Sequence, residues 1–310
     1  MPALAFPALA LLAARPVLAQ QAGAITLVVG AASGSAADHW ARSFAPFLER
    51  HWPHVAVTVF NLPGERGLRA ARTIAEAGPG SRLVGSIATP LLLARAVEAG
   101  ETALLGRLDF VAAVAEEPLV LVGFPGLVAD LGALRELGPQ AILGTPPHGS
   151  APQLAALALS LALPLGMLAF PNAAAARQAV VAGNIPCAML AAPEAIVALR
   201  DGRLAGLGLA RKHRSSLLPD VPTFEEQGIS LALSAHRGFA VPAGARPALL
   251  EPLTRALHAA VADPEFATQG EARGYVPNYI GQTSWAPMLR RVAADLAARW
   301  VADPWVGRRE

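Results

Sequence analysis

The 310-residue chain has a single cysteine, Cys187, and a single lysine, Lys212. One cysteine excludes an internal disulfide and a cysteine-cluster metal site. Cys187 stands in the apolar run "IPCAMLAA", the setting of a buried structural thiol and not of a nucleophile. Aromatic residues make up only 5% of the chain, and arginine carries almost all the positive charge within a formal net charge of +2. Without a long basic block or many stacking side chains, the composition excludes a nucleic-acid binder. Beyond the N-terminus no uninterrupted apolar run reaches the ~18 residues of a spanning helix. Several motifs are also missing: Gly-x-Gly-x-x-Gly after the first strand, the Gly-rich phosphate loop ending in Gly-Lys, His-Glu-x-x-His, and Gly-x-Ser-x-Gly. The seven histidines have no metal-ligand spacing. The expectation is a non-enzymatic protein with no cofactor and no metal.

What is present is 54% hydrophobic and 15% charged, enough for a large core and two lobes. The first twenty residues, "MPALAFPALALLAARPVLAQ", combine an apolar middle with small residues at Val17 and Ala19, the pattern of a secretory signal. This predicts a signal peptide over 1–19, cleavage near Ala19 and a periplasmic protein.

From residue 25 short strands alternate with helices. "ITLVVG" and "VAVTVFN" read as strands, and between them Trp40, Phe44, Phe47 and Leu48 recur at helical spacing. The alternation continues to the C-terminal helices and predicts an α/β fold with mostly parallel sheets. Strands near 118–123 and 237–242 are the expected crossings between lobes. They assign residues 22–122 with 238–310 to lobe 1, residues 123–237 to lobe 2, and a ligand cleft to the hinge between them.

Two loops carry the chemistry. "GAASGSAAD" follows the first strand and opens a helix, with Ser35 and Asp38 at capping-box spacing. "GTPPHGSAPQL" does the same in the second half, with Ser150 and Gln153. Small residues let a ligand approach main-chain N–H groups, and a helix N-terminus favours anions. Two such termini facing one cleft predict a dipolar clamp for a small organic anion, with no arginine clamp required. The expected ligand-binding residues are Gly34, Ser35, Ala36 and Asp38 from lobe 1, and Gly149, Ser150 and Ala151 from lobe 2. Thr89, His148, Phe170 and Asn172 form a second tier. The enzymatic alternative is a small-ester hydrolase using Ser150 with His148 and a distant acid.

These segments resemble a family. "LPDVPTFEEQG" at 218–228, "NLPGERG", "GAASGSAAD", "HAAVADPEF" and "GYVPNY" occur in the order found in the periplasmic solute receptors of tripartite tricarboxylate transporters, the Bug-type binding proteins. The resemblance runs from about residue 25 to 300. It implies a two-lobed type II periplasmic-binding-protein (Venus-flytrap) fold with two hinge-crossing strands. It further implies a small carboxylate ligand held by backbone groups and waters, delivery to a membrane permease, and a monomer. A receptor presenting its ligand to a sensor kinase is the alternative within the same fold. The chain departs from the family pattern at Gly30-Ala31, Ser35, Pro147, Pro152, Phe170-Pro171-Asn172, Pro186 and His236, more in the second half of the site than in the first.

Overall fold

The structure, a computed structural model, describes residues 23–306. The expected signal peptide lies outside the described residues.

The first lobe begins with β1 (Gly23–Val29), α1 (Ala36–His51), β2 (Val55–Asn61), α2 (Leu68–Glu76) and β3 (Leu83–Thr89). Helices α3 (Leu91–Glu98) and α4 (Thr102–Leu105) lead to β4 (Leu108–Glu117). The chain then builds a second sheet from β5 (Leu119–Gly123), α5 (Leu131–Leu137), β6 (Ile142–Thr145), α6 (Ala151–Leu159) and β7 (Gly166–Ala169). That lobe is completed by α7 (Ala173–Val181), β8 (Cys187–Ala191), α8 (Ala192–Arg200) and β9 (Ala205–Leu209). β10 (Ala235–Pro242) returns to the first sheet, followed by α9 (Pro247–Val261), α10 (Pro264–Arg273), β11 (Val276–Gly281) and α11 (Gln282–Ala302).

The first sheet has six strands in the order β11-β4-β10-β3-β1-β2, and the second has five in the order β7-β6-β8-β5-β9. β1 runs parallel to β2 and β3, whereas β10 lies antiparallel between β3 and β4. Each sheet is covered on both faces. On one face of the first sheet, the stripe predicted on α1 packs as a set of rings: Trp40 stacks on Phe44 at 5.2 Å, and Phe44 meets Phe266 edge-on at 5.3 Å. On the other face Trp285 of α11 is wholly buried beside Phe110. In the second lobe Cys187 is buried, and burial raises its thiol pKa to about 12. Its Sγ approaches the carbonyl of Ile142, so it is a core thiol.

The lobe boundaries differ from the expected ones. β5 pairs with β8 and β9, so Leu119–Gly123 belongs to the second sheet and the chain leaves the first sheet at Pro118. The reason is local: proline has no N–H with which to continue the β4 ladder, and the Pro118 carbonyl accepts the Ala192 amide at 2.7 Å instead. On the return, Ala235, His236 and Arg237 already pair with β4, ahead of the expected position at 238. The two crossings are therefore neighbours, with Glu117 opposite Ala235.

Candidate functional site

A cavity of about 490 Å³ lies between the lobes, within the usual range of small-molecule sites. Its lining draws on the first turn of α1 (Ala36, His39), the end of β3 (Ala88, Thr89) and the first turn of α6 (Ser150, Ala151, Pro152). The starts of α7 and α8 add Ala173, Ala191 and Pro193, and the crossing strands add Glu117, Ala235 and Arg237.

The two helix starts are built alike. Ser35 caps α1, its hydroxyl accepting the Asp38 amide at 3.3 Å; Ser150 caps α6, its hydroxyl accepting the Gln153 amide at 3.4 Å. The capping-box partner reaches back one residue further than the usual reciprocal bond. Asp38 Oδ2 accepts the Gly34 amide at 2.8 Å, and Gln153 Oε1 accepts the Gly149 amide at 3.0 Å. Both glycines have positive φ, +80° and +72°, the left-handed conformation that turns their N–H back over the helix start. What remains open are the first two helical amides of α1, Ala36 and Ala37, and the first of α6, Ala151, where Pro152 has none to give. These amides donate to no acceptor among the described residues, and Ala36 and Ala151 line the cavity.

The expected residues thus fall into two groups. Ala36, Thr89, Ser150 and Ala151 line the cavity. Asp38 is buried and holds the loop together, with Gly34 N–H on one oxygen and Arg42 Nε at 2.8 Å on the other. The Gly34 amide is the main reason its carboxyl titrates below the usual range. Ser35 is occupied as the cap, and the Gly34 and Gly149 amides are occupied by side chains of this chain, so neither glycine offers its N–H to a ligand. Gly149 faces inward instead: a Cβ there would stand 2.7 Å from Glu98 Oε1 of α3. His148 is half-buried on the loop and does not line the cavity. Phe170 packs in the second lobe's apolar cluster, and Asn172 caps α7 by accepting the Ala175 amide at 2.8 Å, leaving its neighbour Ala173 on the cavity wall.

Two arginines that the sequence reading did not name line the cavity. Arg237 lies beside Glu117, Nε to Oε1 2.7 Å, so its charge is matched within the protein. Arg273, at the end of α10, is exposed and makes no ion pair among the described residues. The signal for Arg237 was its place at the start of the return strand; Arg273 comes to the cavity only through the packing of α10 and β11. The hydrolase alternative finds no support in the geometry: Ser150 Oγ is engaged with the Gln153 amide and has no histidine partner among the described residues.

Comparison with known proteins agrees with this architecture. A family model described as "Tripartite tricarboxylate transporter family receptor" matches residues 54–301. A "UPF0065 protein in the TAR-I ttuE-ttuC' intergenic region" of Agrobacterium vitis is 27% identical over 272 residues, 82% of this chain and 75% of that protein. Among solved structures, a TctC solute binding protein from Polaromonas superposes with a TM-score of 0.75 at 21% identity, covering 90% of this chain and 98% of that one. MatC from Rhodopseudomonas palustris with bound malate gives 0.71 at 22% identity, covering 92% and 98%. An R. palustris protein with adipate gives 0.75 at 18% identity, covering 90% and 95%. With the family match spanning most of its length, the chain belongs to the tripartite tricarboxylate transporter receptor family.

Proposed function

We propose that this receptor is exported to the periplasm, captures a small organic carboxylate in the interlobe cavity, and delivers it to a tripartite tricarboxylate-type permease. The observation that carries the reading is the pair of helix starts, α1 from one lobe and α6 from the other, that border one cavity with unpartnered first-turn amides. An anion bridging them would receive N–H bonds from both walls, each ~1.5–3 kcal/mol to a charged acceptor, together with the favourable ends of two helix dipoles. Ligand contacts to both lobes favour the closed arrangement. Arg273 adds positive charge to the cavity wall, while Glu117 tempers that of Arg237. The malate and adipate bound by structurally similar proteins belong to the same chemical class. The alternative of a receptor serving a sensor kinase uses the same cavity and the same ligand class.

Thermal-shift titration against mono-, di- and tricarboxylates, with amino acids and neutral sugars as controls, tests the reading. A bound ligand raises the midpoint by mass action. The expected result is a concentration-dependent rise with at least one carboxylate and none with sugars; a response confined to neutral or cationic solutes overturns it.

A further inference from the structure

The hinge ribbon has two faces, and apart from Thr89, which borders both cavities, the cleft uses only one. Side chains alternate along a strand, and residues directly opposite across a ladder share a face. Glu117 pairs with Ala235, and both line the cleft together with Arg237. The next row consists of Thr89 on β3, His236 on β10 and Glu116 on β4, paired in that order. This row borders a second cavity, about 620 Å³, behind the ribbon. Its walls come from both lobes: α11 from the first, the second turn of α6 from the second, and the segments 210–213 and 232–234 that flank the crossing.

Its chemistry differs from that of the cleft. Leu154, Leu233, Met288, Val292 and their neighbours make an apolar chamber. Three fixed cations border it, Arg211, Lys212 and Arg299, against two acids, Glu116 and Asp295. Arg211 and Glu116 satisfy each other at 3.2 Å, and Ser234 Oγ donates to Glu116 at 2.6 Å. Lys212 and Arg299 have no acidic partner among the described residues. Two buried polar atoms on the lining also lack a hydrogen-bond partner there: Thr89 Oγ1, on a residue only 2% exposed, and Arg299 Nε. Buried donors are rarely left unmatched. An apolar chamber with surplus positive charge and unmatched donors is complementary to a molecule with one anionic head and an apolar body.

We propose that this rear cavity is an accessory binding site for an amphipathic monocarboxylate, its carboxylate held by Arg299 and Lys212 and its chain lying among Leu154, Leu233, Met288 and Val292. The rear cavity lies behind the cleft, and two elements border both: Thr89 at the end of β3, and α6, where Ser150 and Ala151 line the cleft and Leu154 and Ala158 line the rear cavity.

The test is calorimetric titration of the full chain with octanoate, using 1-octanol as the neutral counterpart. Four proteins are compared: wild type, Lys212→Gln, Arg299→Gln and the cleft variant Ala36→Pro, each checked for wild-type circular dichroism. Lys212 is exposed, so its variant leaves folding untouched even if Arg299→Gln does not. The expected result is octanoate binding to wild type that weakens ~10-fold in Lys212→Gln and in any folded Arg299→Gln, as for loss of a charge-assisted contact. Ala36→Pro should retain the octanoate site that Lys212→Gln weakens, and 1-octanol should bind more weakly than octanoate. The proposal is overturned if wild type does not bind octanoate, if Lys212→Gln binds it undiminished, if Ala36→Pro abolishes binding, or if 1-octanol binds equally well. Failure of any kind here leaves the carboxylate series in the thermal-shift experiment to stand or fall by itself.

Discussion

Asp38 Oδ2 accepts the Gly34 amide at 2.8 Å, and this bond decides what the first loop can offer a ligand. Through its other oxygen Asp38 takes Arg42 Nε at 2.8 Å, and Arg42 continues to Asn61 Oδ1 at 3.0 Å. Asn61 in turn donates to the Ala31 carbonyl at 3.1 Å. The carboxylate is therefore spent on shaping the loop that presents Ala36 to the cavity. Gln153 plays the same part in the second lobe, with an uncharged side chain.

Removing single amides tests the clamp without disturbing the fold. Ala36 and Ala151 each occupy the first helical position, where proline is tolerated because that N–H has no helical partner. The preceding serines already have the extended backbone that a following proline prefers, ψ 164° and 151°. Ala36→Pro and Ala151→Pro should each keep the wild-type melting temperature and weaken carboxylate binding ~10-fold, about 1.4 kcal/mol. Calorimetric titration with the best carboxylate from the thermal-shift series reads the result; unchanged affinity in both variants removes the amides from the ligand's contacts.

Glu117 neutralises Arg237, one of the two arginines on the cleft wall. Glu117→Gln keeps an acceptor near Arg237 Nε but leaves the guanidinium without its counter-charge. The ligand-free protein should lose roughly 1–3 kcal/mol in urea denaturation. An anionic ligand should then restore more stability than it adds to wild type, because it supplies the missing charge. Equal ligand-induced shifts in the two proteins would falsify a role for Arg237 at the ligand.

Gln153 joins three parts of the chain. Its Oε1 accepts from Gly149, and its Nε2 donates to the Trp305 carbonyl at 3.3 Å, while Trp305 Nε1 reaches Glu98 Oε1 at 2.7 Å. The side chain is buried, so Gln153→Ala leaves two main-chain polar groups unmatched in the interior. The expected loss is about 2–4 kcal/mol, measured by urea unfolding, with carboxylate affinity also reduced because the α6 start is no longer anchored.

Acid sensitivity should trace in part to Asp263, far from the cleft. It caps α10 and accepts His51 Nε2 at 2.9 Å and Arg50 Nη1 at 2.8 Å. The His51 bond, then the Arg50 bond, lowers its pKa from 3.8 to about 2. A depressed carboxyl pKa contributes stability that is fully present above the ordinary carboxylate value and is lost as pH falls through the folded value. Asp263→Asn, which retains a capping side chain, should melt below wild type near neutral pH. The two melting curves should converge between about pH 4 and pH 2; a constant gap down to that range would show that the charge is not the source.

Local signals made much of the fold legible. The spacing of Trp40, Phe44, Phe47 and Leu48 defines the buried face of α1, and Ser35 and Ser150 mark the starts of α1 and α6. Pro118 is visible in the sequence as a break between two strands, but which sheet claims the residues after it depends on pairing with β8 and β9, partners distant in the chain, from Gly123 opposite Cys187 to Val120 opposite Leu209. β11 escapes the pattern because Pro277 interrupts it; the strand tolerates proline at the sheet edge, with a register break before Ile280. The site was half legible for the same reason. Ala36 and Ala151 follow from the caps, whereas Arg237 and Arg273 reach the cavity through long-range register. The occupation of Gly34 and Gly149 was written locally, in an Asp and a Gln four residues after each glycine.

The side-by-side crossings govern how the molecule can move. Glu117 and Ala235 stand in one ladder, and the bonding continues into the second lobe as Ala210 N–H to Leu119 and Leu233 N–H to Ala210. A strip of bonded strands flexes out of its own plane without breaking those bonds, whereas sliding one strand past the other ruptures them. A hinge of this build would swing the two lobes about a single axis set across the strip, so that solutes of any shape would meet one arc of closure.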